Sequence, residues 1–344
     1  MKRILATGGL GFVGSHTCLS LLYQGYKIIV IDSLINSSFE IYQKLKKINE
    51  VLNLELNNKF TFIKGDIRNS ALIENIFQEA SMKDQPINSV IHFAGLKSVN
   101  QSILNPLQYW DSNVIGTINL LKTMRNNQCF NIVFSSSATV YKPKLNRMLD
   151  ENSDLGPMNP YGMTKLTNEK ILEDIFKSDP NKWSISLLRY FNPVGAHSSG
   201  SLGELPIGMP NNLFPILMKV ALGELDFLSI YGKDWPTKDG TCIRDFIHVM
   251  DLAEAHIAAL KFLIDNRPQN IALNIGTGKG TSVLEIIKTF QEVNGICFPY
   301  HFVKRRMGDQ PFLVADNKLA LSLLDWIPTR NIVDMCADSV KNLI

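Results

Sequence analysis

Residues Lys2 to Thr7 read as a short buried strand that runs directly into Gly8-Gly9-Leu10-Gly11-Phe12-Val13-Gly14-Ser15-His16, followed by an apolar-periodic helix that stops at Gly25. A strand, a glycine turn and a helix joined this tightly leave few folds open. The glycines permit a sharp turn and close approach of backbone to a ligand, while the helix N-terminus offers unpaired N–H groups to a pyrophosphate. The next strand, Lys27 to Ile31, ends in Asp32, 18 residues beyond Gly14. An acidic side chain there accepts hydrogen bonds from an adenosine ribose and repels a 2'-phosphate. No arginine follows in Ser33-Leu34-Ile35. The spacing predicts NAD rather than NADP.

The pattern repeats. Strands are expected at Phe60 to Ile63, Val90 to Phe93, Ile132 to Phe134 and Ile185 to Tyr190, each short, apolar and followed by small or polar residues. This alternation calls for an α/β fold of the Rossmann type: a doubly wound parallel sheet with ligands beyond the carboxyl ends of its strands. Asp66, Ala94, Lys97 and Ser137 all fall at that edge. After Tyr190 the composition turns rich in Gly, Pro and Ser as far as Asn212, a long loop of the kind that usually carries function. The expected division is therefore a dinucleotide-binding domain over 1–190 and a smaller C-terminal α/β substrate lobe over 191–344, some of whose segments return to the large domain.

At 344 residues and net charge +3, the chain has room for one large or two smaller domains and lacks the basic balance of a nucleic-acid-binding protein. Its five cysteines are dispersed without Cys-x-x-Cys spacing, so reduced thiols in the cytoplasm are expected, with no metal centre. The short apolar run after Met1-Lys2-Arg3 predicts neither a signal peptide nor a membrane span.

Pro160-Tyr161-Gly162-Met163-Thr164-Lys165 carries the chemistry. Asn159 is a good N-cap and Pro160 suits a first helical turn, so Tyr161 and Lys165 lie one turn apart on one face of a helix. A phenol titrates near pH 10. Poising it near neutrality takes roughly 3 pKa units, about 4 kcal/mol, which a lysine cation and a cationic nicotinamide together can supply. Ser137, at a strand end, is a natural hydrogen-bond partner for a substrate hydroxyl or for Tyr161. In the smaller lobe, a helix over Leu213 to Leu222 starts at Asn212, and Arg244 and Arg306 make a plausible diphosphate cradle beside it. Gly276-Thr277-Gly278 lacks a third glycine in register and reads as structural. Ser282 with Glu285 reads as a capping box, and His248 as a hydrogen-bonded core histidine.

These phrases, together with His92 to Lys97, Ser135 to Tyr141, Arg189 to His197, Arg244-Asp245 with His248 to Asp251, and Arg305-Arg306, resemble the extended short-chain dehydrogenases and, within them, the UDP-sugar 4-epimerases. The resemblance spans nearly the whole chain. It implies oxidation at C4 of a UDP-hexose by NAD, rotation of the 4-keto sugar and return of the hydride, so that UDP-galactose and UDP-glucose interconvert. It implies catalysis by Ser137, Tyr161 and Lys165. NAD contacts are implied from Gly8, Gly11, Phe12, Val13, Gly14, Asp32, Asn36, Asp66, Ile67, Phe93, Lys97, Asn113, Tyr161, Lys165 and Tyr190. For the UDP-sugar it implies Ser137, Asn192, Asn212, Leu213, Tyr231, Arg244, Arg306 and Asp309. Leu313 stands where relatives gate sugar size, and a homodimer packed through the two long helices is also implied. A related 4,6-dehydratase would need an acid and a base after Ser137, where this chain has Ala138 and Thr139. A non-catalytic NAD-binding protein would have no use for Ser137, Tyr161 and Lys165 together.

Overall fold

In a computed structural model that describes residues 2–51, 59–143, 147–205, 207–208, 210, 212–306 and 309–341, the strands are β1 (Arg3–Thr7), β2 (Lys27–Asp32), β3 (Phe60–Lys64), β4 (Ile87–His92), β5 (Asn131–Ser137), β6 (Ser184–Tyr190), β7 (Asn192–Val194), β8 (Leu228–Tyr231), β9 (Ile243–His248), β10 (Asn270–Ile275), β11 (Gly280–Ser282), β12 (Tyr300–Val303) and β13 (Phe312–Leu313). The helices are α1 (Phe12–Tyr23), α2 (Phe39–Val51), α3 (Ser70–Met82), α4 (Val99–Leu104), α5 (Pro106–Tyr109), α6 (Gly116–Asn126), α7 (Pro160–Ser178), α8 (Leu213–Ala221), α9 (Val249–Asp265), α10 (Val283–Asn294), α11 (Lys318–Leu324) and α12 (Ile332–Lys341).

Seven strands form one sheet in the order β10-β6-β5-β4-β1-β2-β3, and every pairing within it is parallel. Because such a sheet is covered on both faces, its strands are apolar on both sides. Ile4, Ala6, Ile28 and Val30 pack under α1, α2 and α9. Leu5, Ile29, Ile31 and Phe134 pack under α3, α6 and α7. The strand order reverses between β1 and β4, which opens a crevice at their carboxyl ends. Two segments from the C-terminal half complete this domain: β10 pairs with β6, and α9 lies against α1.

The smaller lobe is built on β9, which is flanked by β11 and β13 and also pairs with β7. Its core gathers Val194, Phe214, Leu217, Phe246, Ile286 and Phe290. Thr277 N–H (2.8 Å), Gly278 N–H (2.9 Å) and Ala315 N–H (3.2 Å) all donate to the Asp245 carboxylate. A Cβ at Gly276 would stand 2.6 Å from an Asp245 oxygen, so the loop's glycine is needed for this approach. Gly276-Thr277-Gly278 is thus a cradle for the protein's own carboxylate, and it ties β9 and the residues after β13 to the end of β10. The capping box of Ser282 and Glu285 starts α10. His248 is buried and caps α9, its Nδ1 accepting from Met250 N–H at 3.1 Å.

Three other histidines are fully enclosed. His92 lies between the hydroxyls of Thr7 (2.6 Å) and Thr117 (2.9 Å); His16 contacts the carbonyls of Phe12 (2.7 Å) and Leu202 (3.2 Å); His256 contacts the Leu252 carbonyl (2.7 Å) and the Tyr190 hydroxyl. Burial pushes His92 down to about 3 and His16 and His256 down to about 4. Unfolded histidines take up protons near pH 6.5, whereas these three do so only near pH 3 to 4. The unfolded chain therefore binds more protons in that window, and their contribution to stability is lost as pH falls through it. Asp245, raised to about 6 by burial, acts in the opposite sense below pH 6, as does Glu151, also raised by burial, but burial lowers five histidines, His197 and His248 among them. Thermal unfolding followed from pH 8 to pH 4 should show a melting temperature that declines below about pH 6.5; a profile rising on acidification would contradict this account.

Candidate active site

The first glycine turn is as tight as a backbone allows. Gly8 has φ of +67°, and a Cβ on it would lie 2.6 Å from Ala94 N; one on Gly14 would lie 2.5 Å from the Gly8 carbonyl. Gly11 caps α1 without any side-chain acceptor, so the first N–H groups of α1, at Phe12 and Val13, have no side-chain cap. Asp32 accepts from Leu10 N–H (3.0 Å), Leu34 N–H (2.9 Å) and the Ser37 hydroxyl (2.8 Å). Those bonds fix the turn to the end of β2 and use about three of the four acceptor positions of a carboxylate, leaving room for a ribose hydroxyl. The arrangement fits a dinucleotide.

Around the rest of the crevice the expected residues sit in varied settings. Asn36 is exposed. Asp66 is held by Arg68 at 2.6 Å, and that bond keeps its carboxyl below the usual range; Arg68 extends to Asp111 at 2.5 Å. Ile67 is buried against Gly116, where an added Cβ would meet it at 2.6 Å. Phe93 packs on His256, with ring centroids 4.9 Å apart, and the Tyr190 phenol is bound to the same histidine. Lys97 makes an ion pair with Glu204 at 2.9 Å, across the crevice to the long loop. Asn113 lies in a π-helical turn, Trp110–Ile115, between α5 and α6. It clamps Leu96 from both sides, accepting its N–H at 2.7 Å and donating to its carbonyl at 3.0 Å, and donates to Thr164 on α7 at 3.0 Å.

At the start of α7, Asn159 caps Gly162 N–H at 2.8 Å, as its position suggests. Lys165 is buried; its ammonium donates to the Ser135 carbonyl at 2.6 Å and lies 6.0 Å from the centre of the Tyr161 ring. Burial pulls this amine down to about 8, against the opposing pull of Glu169. Ser137 Oγ accepts twice from Thr139, from its N–H at 3.2 Å and its hydroxyl at 3.0 Å, which leaves the serine's own proton free to donate. Tyr161 differs from the expectation of a poised phenol: burial pushes it up to about 12, with a hydrogen bond from Ser137 as the partial counterweight. Desolvation of the phenol outweighs the stabilisation that the chain itself supplies to its ionised form.

In the smaller lobe, Arg244 donates to the Gln310 carbonyl at 2.7 Å and lies 3.8 Å from Asp309. Leu313 is in register with Arg244 and packs against the cluster of Ala138, Tyr141 and Phe191. Arg306 stacks over Tyr231 at 4.2 Å. Asn212 begins α8 without a side-chain cap bond, and Leu213 is its first residue. Buried side-chain oxygens of Asn192 and Gln310 have no hydrogen-bond partner among the described residues. Thr139, Gln310 and Glu204 escape a reading of the sequence. Thr139 is signalled only by its place two residues after Ser137, and Glu204, 107 positions from Lys97, has no local signal at all.

A family model described as GDP-mannose 4,6 dehydratase matches residues 5–339. A UDP-glucose 4-epimerase of Bacillus subtilis (strain 168) is 46% identical over 336 residues, 98% of this chain and 95% of that one. Among solved structures, the UDP-glucose-4-epimerase from Stenotrophomonas maltophila with bound NAD and formylated UDP-arabinopyranose superposes with a TM-score of 0.93 at 42% identity, covering 99% of this chain and 98% of that one. The enzyme from Bifidobacterium longum in complex with NAD+ and UDP gives 0.91 at 42% identity, with the same coverage.

The Asn113 clamp is open to test. Asn113→Ala leaves the Leu96 amide and carbonyl without their side-chain partner, at a cost of roughly 2 kcal/mol. Chemical denaturation should show that loss with an unchanged m-value; an unaltered midpoint would mean that the clamp contributes nothing to the fold.

Proposed function

Because the chain belongs to the UDP-glucose 4-epimerase family, we propose that Tyr161, Ser137 and Lys165 form its reaction centre and that β9, β13 and the start of α8 hold the UDP-sugar. The enzyme interconverts UDP-galactose and UDP-glucose through a 4-keto sugar that rotates before reduction. NAD, when bound, supplies the hydride acceptor and donor. Gly8, Gly11, Phe12, Val13, Gly14, Asp32 and Lys97 are assigned to hold it. Tyr161 takes the proton of the sugar 4-hydroxyl and later returns it. Ser137 donates to the phenolate, while Lys165 stabilises the developing negative charge. Arg244, Arg306 and the bare N-terminus of α8 bind the diphosphate, with Asp309 orienting Arg244. The observation that carries this reading is the Ser137 hydroxyl, whose oxygen is used twice by Thr139 and whose proton is left for Tyr161.

The same feature argues against elimination. In a 4,6-dehydratase the two positions after Ser137 would supply an acid and a base, but here Ala138 has no polar atom and Thr139 is committed to Ser137. We divide the chain into a dinucleotide domain over 1–190 and a mainly substrate lobe over 191–344, a reading supported by the return of α9 and β10 to the large core. A homodimer is supported by Ile103, Leu104, Leu107 and Ile115, apolar residues left exposed on and beside the helices before β5. Among the described residues no helix is long and apolar enough to cross a membrane, and all five cysteines are free; both fit a cytoplasmic location.

Purified protein given UDP-galactose and no added nucleotide should form UDP-glucose without net NADH. Tyr161→Phe should abolish turnover with UDP-sugar affinity nearly intact, and turnover at the wild-type rate would refute the assigned base. Leu313→Gly should raise activity on UDP-N-acetylglucosamine relative to UDP-glucose, by the roughly 1 to 3 kcal/mol typical of one steric misfit. Leu107→Asp should shift the mass found by light scattering from dimer to monomer. A wild-type monomer would remove the dimer from this reading.

A further inference from the structure

Tyr161, Lys165 and Glu169 are spaced by four along α7 and so share one face of the helix. Glu169 is only 4% exposed, and both of its oxygens are used. Oε1 accepts from Arg189 Nε at 3.0 Å and from the Ser136 hydroxyl, and Oε2 accepts from Arg189 Nη2 at 2.7 Å. Arg189 is itself buried, its Nη1 donating to the Tyr141 hydroxyl at 2.9 Å and to the Glu151 carbonyl at 3.1 Å. Stability alone is a poor reason for such a pair, since apolar side chains of similar size generally serve as well in a core. Its location suggests another use. Ser136 lies between Ser135, whose carbonyl receives the Lys165 ammonium, and Ser137.

We propose that Glu169 is a positioning residue for the reaction: gripped by Arg189, it fixes the strand end that presents Ser137 and supplies the negative charge that keeps Lys165 an ammonium beside Tyr161. This rests on the reaction centre assigned above. The charge balance around Lys165 explains why a carboxylate is needed. From α7 it faces Tyr161 and Glu169 and from β4 His92, while β5 brings the Phe134 ring and the Ser135 carbonyl; Arg189 of β6 is reached through Glu169. Glu169 is the one carboxylate in that set. Burial has already drawn Lys165 down to about 8, and Glu169 is what opposes it. Without that carboxylate, Lys165 would face the uncompensated Arg189 cation and shed its proton at lower pH.

The sign of the charge separates this role from a purely structural one. Glu169→Gln keeps the shape but leaves Arg189 unpaired, so the high-pH limb of kcat should move to lower pH by about one unit, with kcat at pH 8 reduced about fivefold and KM within about twofold. In Arg189→Met the carboxylate stays beside Lys165, and the limb should hold its place or move to higher pH. The double variant removes both charges and should recover part of the activity lost at pH 8 in Glu169→Gln. If Arg189→Met misfolds, this recovery supplies the comparison. Titration of the Lys165 13Cε signal in lysine-labelled protein, assigned with Lys165→Arg, should show the same displacements without any turnover. An unmoved limb and an unmoved Lys165 titration in Glu169→Gln would overturn the proposal, as would displacement to lower pH in both single variants. A wild-type protein that fails to convert UDP-galactose would refute the reaction itself, while the Lys165 titration would still decide the role of Glu169.

Discussion

The bond from the Lys165 ammonium to the Ser135 carbonyl joins the first turns of α7 to the end of β5, and the reacting groups are arranged around that junction. An ammonium in a protein interior must give up water, and a backbone carbonyl at 2.6 Å replaces part of it. The strand end offers such a carbonyl because it has run past its pairing partner on one side. β4 pairs with β5 only as far as Phe134, while β6 follows it to Ser137. Ser135 therefore sits where the sheet stops being continuous. Tyr161 is set one turn before Lys165 by a helix start that Asn159 and Pro160 leave little freedom to shift.

The two lobes meet at this junction through apolar contacts, Leu313 on Ala138, Tyr141 and Phe191, with a line of hydrogen bonds beside them. Tyr141, just past β5, donates to Asn274 on β10 at 2.6 Å, and Asn274 donates in turn to the Leu149 carbonyl at 2.7 Å. The Leu149 amide donates to the Val314 carbonyl, one residue beyond Leu313. Leu313 thus sits at the end of a hydrogen-bonded chain that starts beside Ser137. Apolar surface alone would hold the lobes together with less angular precision, because hydrophobic burial has no preferred direction while hydrogen bonds do.

How far the sequence can be read depends on how local each cause is. The glycine turn, Asp32 at the end of β2, the cap at Asn159 and the capping box at Ser282 arise within a few residues, and the chain shows them directly. The helical stretch from α5 to α6 carries a π-helical turn between them; the extra residue in that turn places Asn113 against Leu96, which propensity does not reveal. Lys97 with Glu204 and Asp245 with the loop after β10 are visible only once the fold brings distant positions together. The raised Tyr161 phenol was illegible for another reason: desolvation depends on what surrounds a group, and spacing along a helix reports only two of its neighbours.

Each of two glycine loops in this chain lends amides to one of the protein's own carboxylates. The loop after β1 gives Asp32 one amide, that of Leu10, while the loop after β10 closes on Asp245 with two, those of Thr277 and Gly278. A tethered anion acts at an effective concentration in the millimolar range or above, so soluble phosphates compete poorly for that second loop.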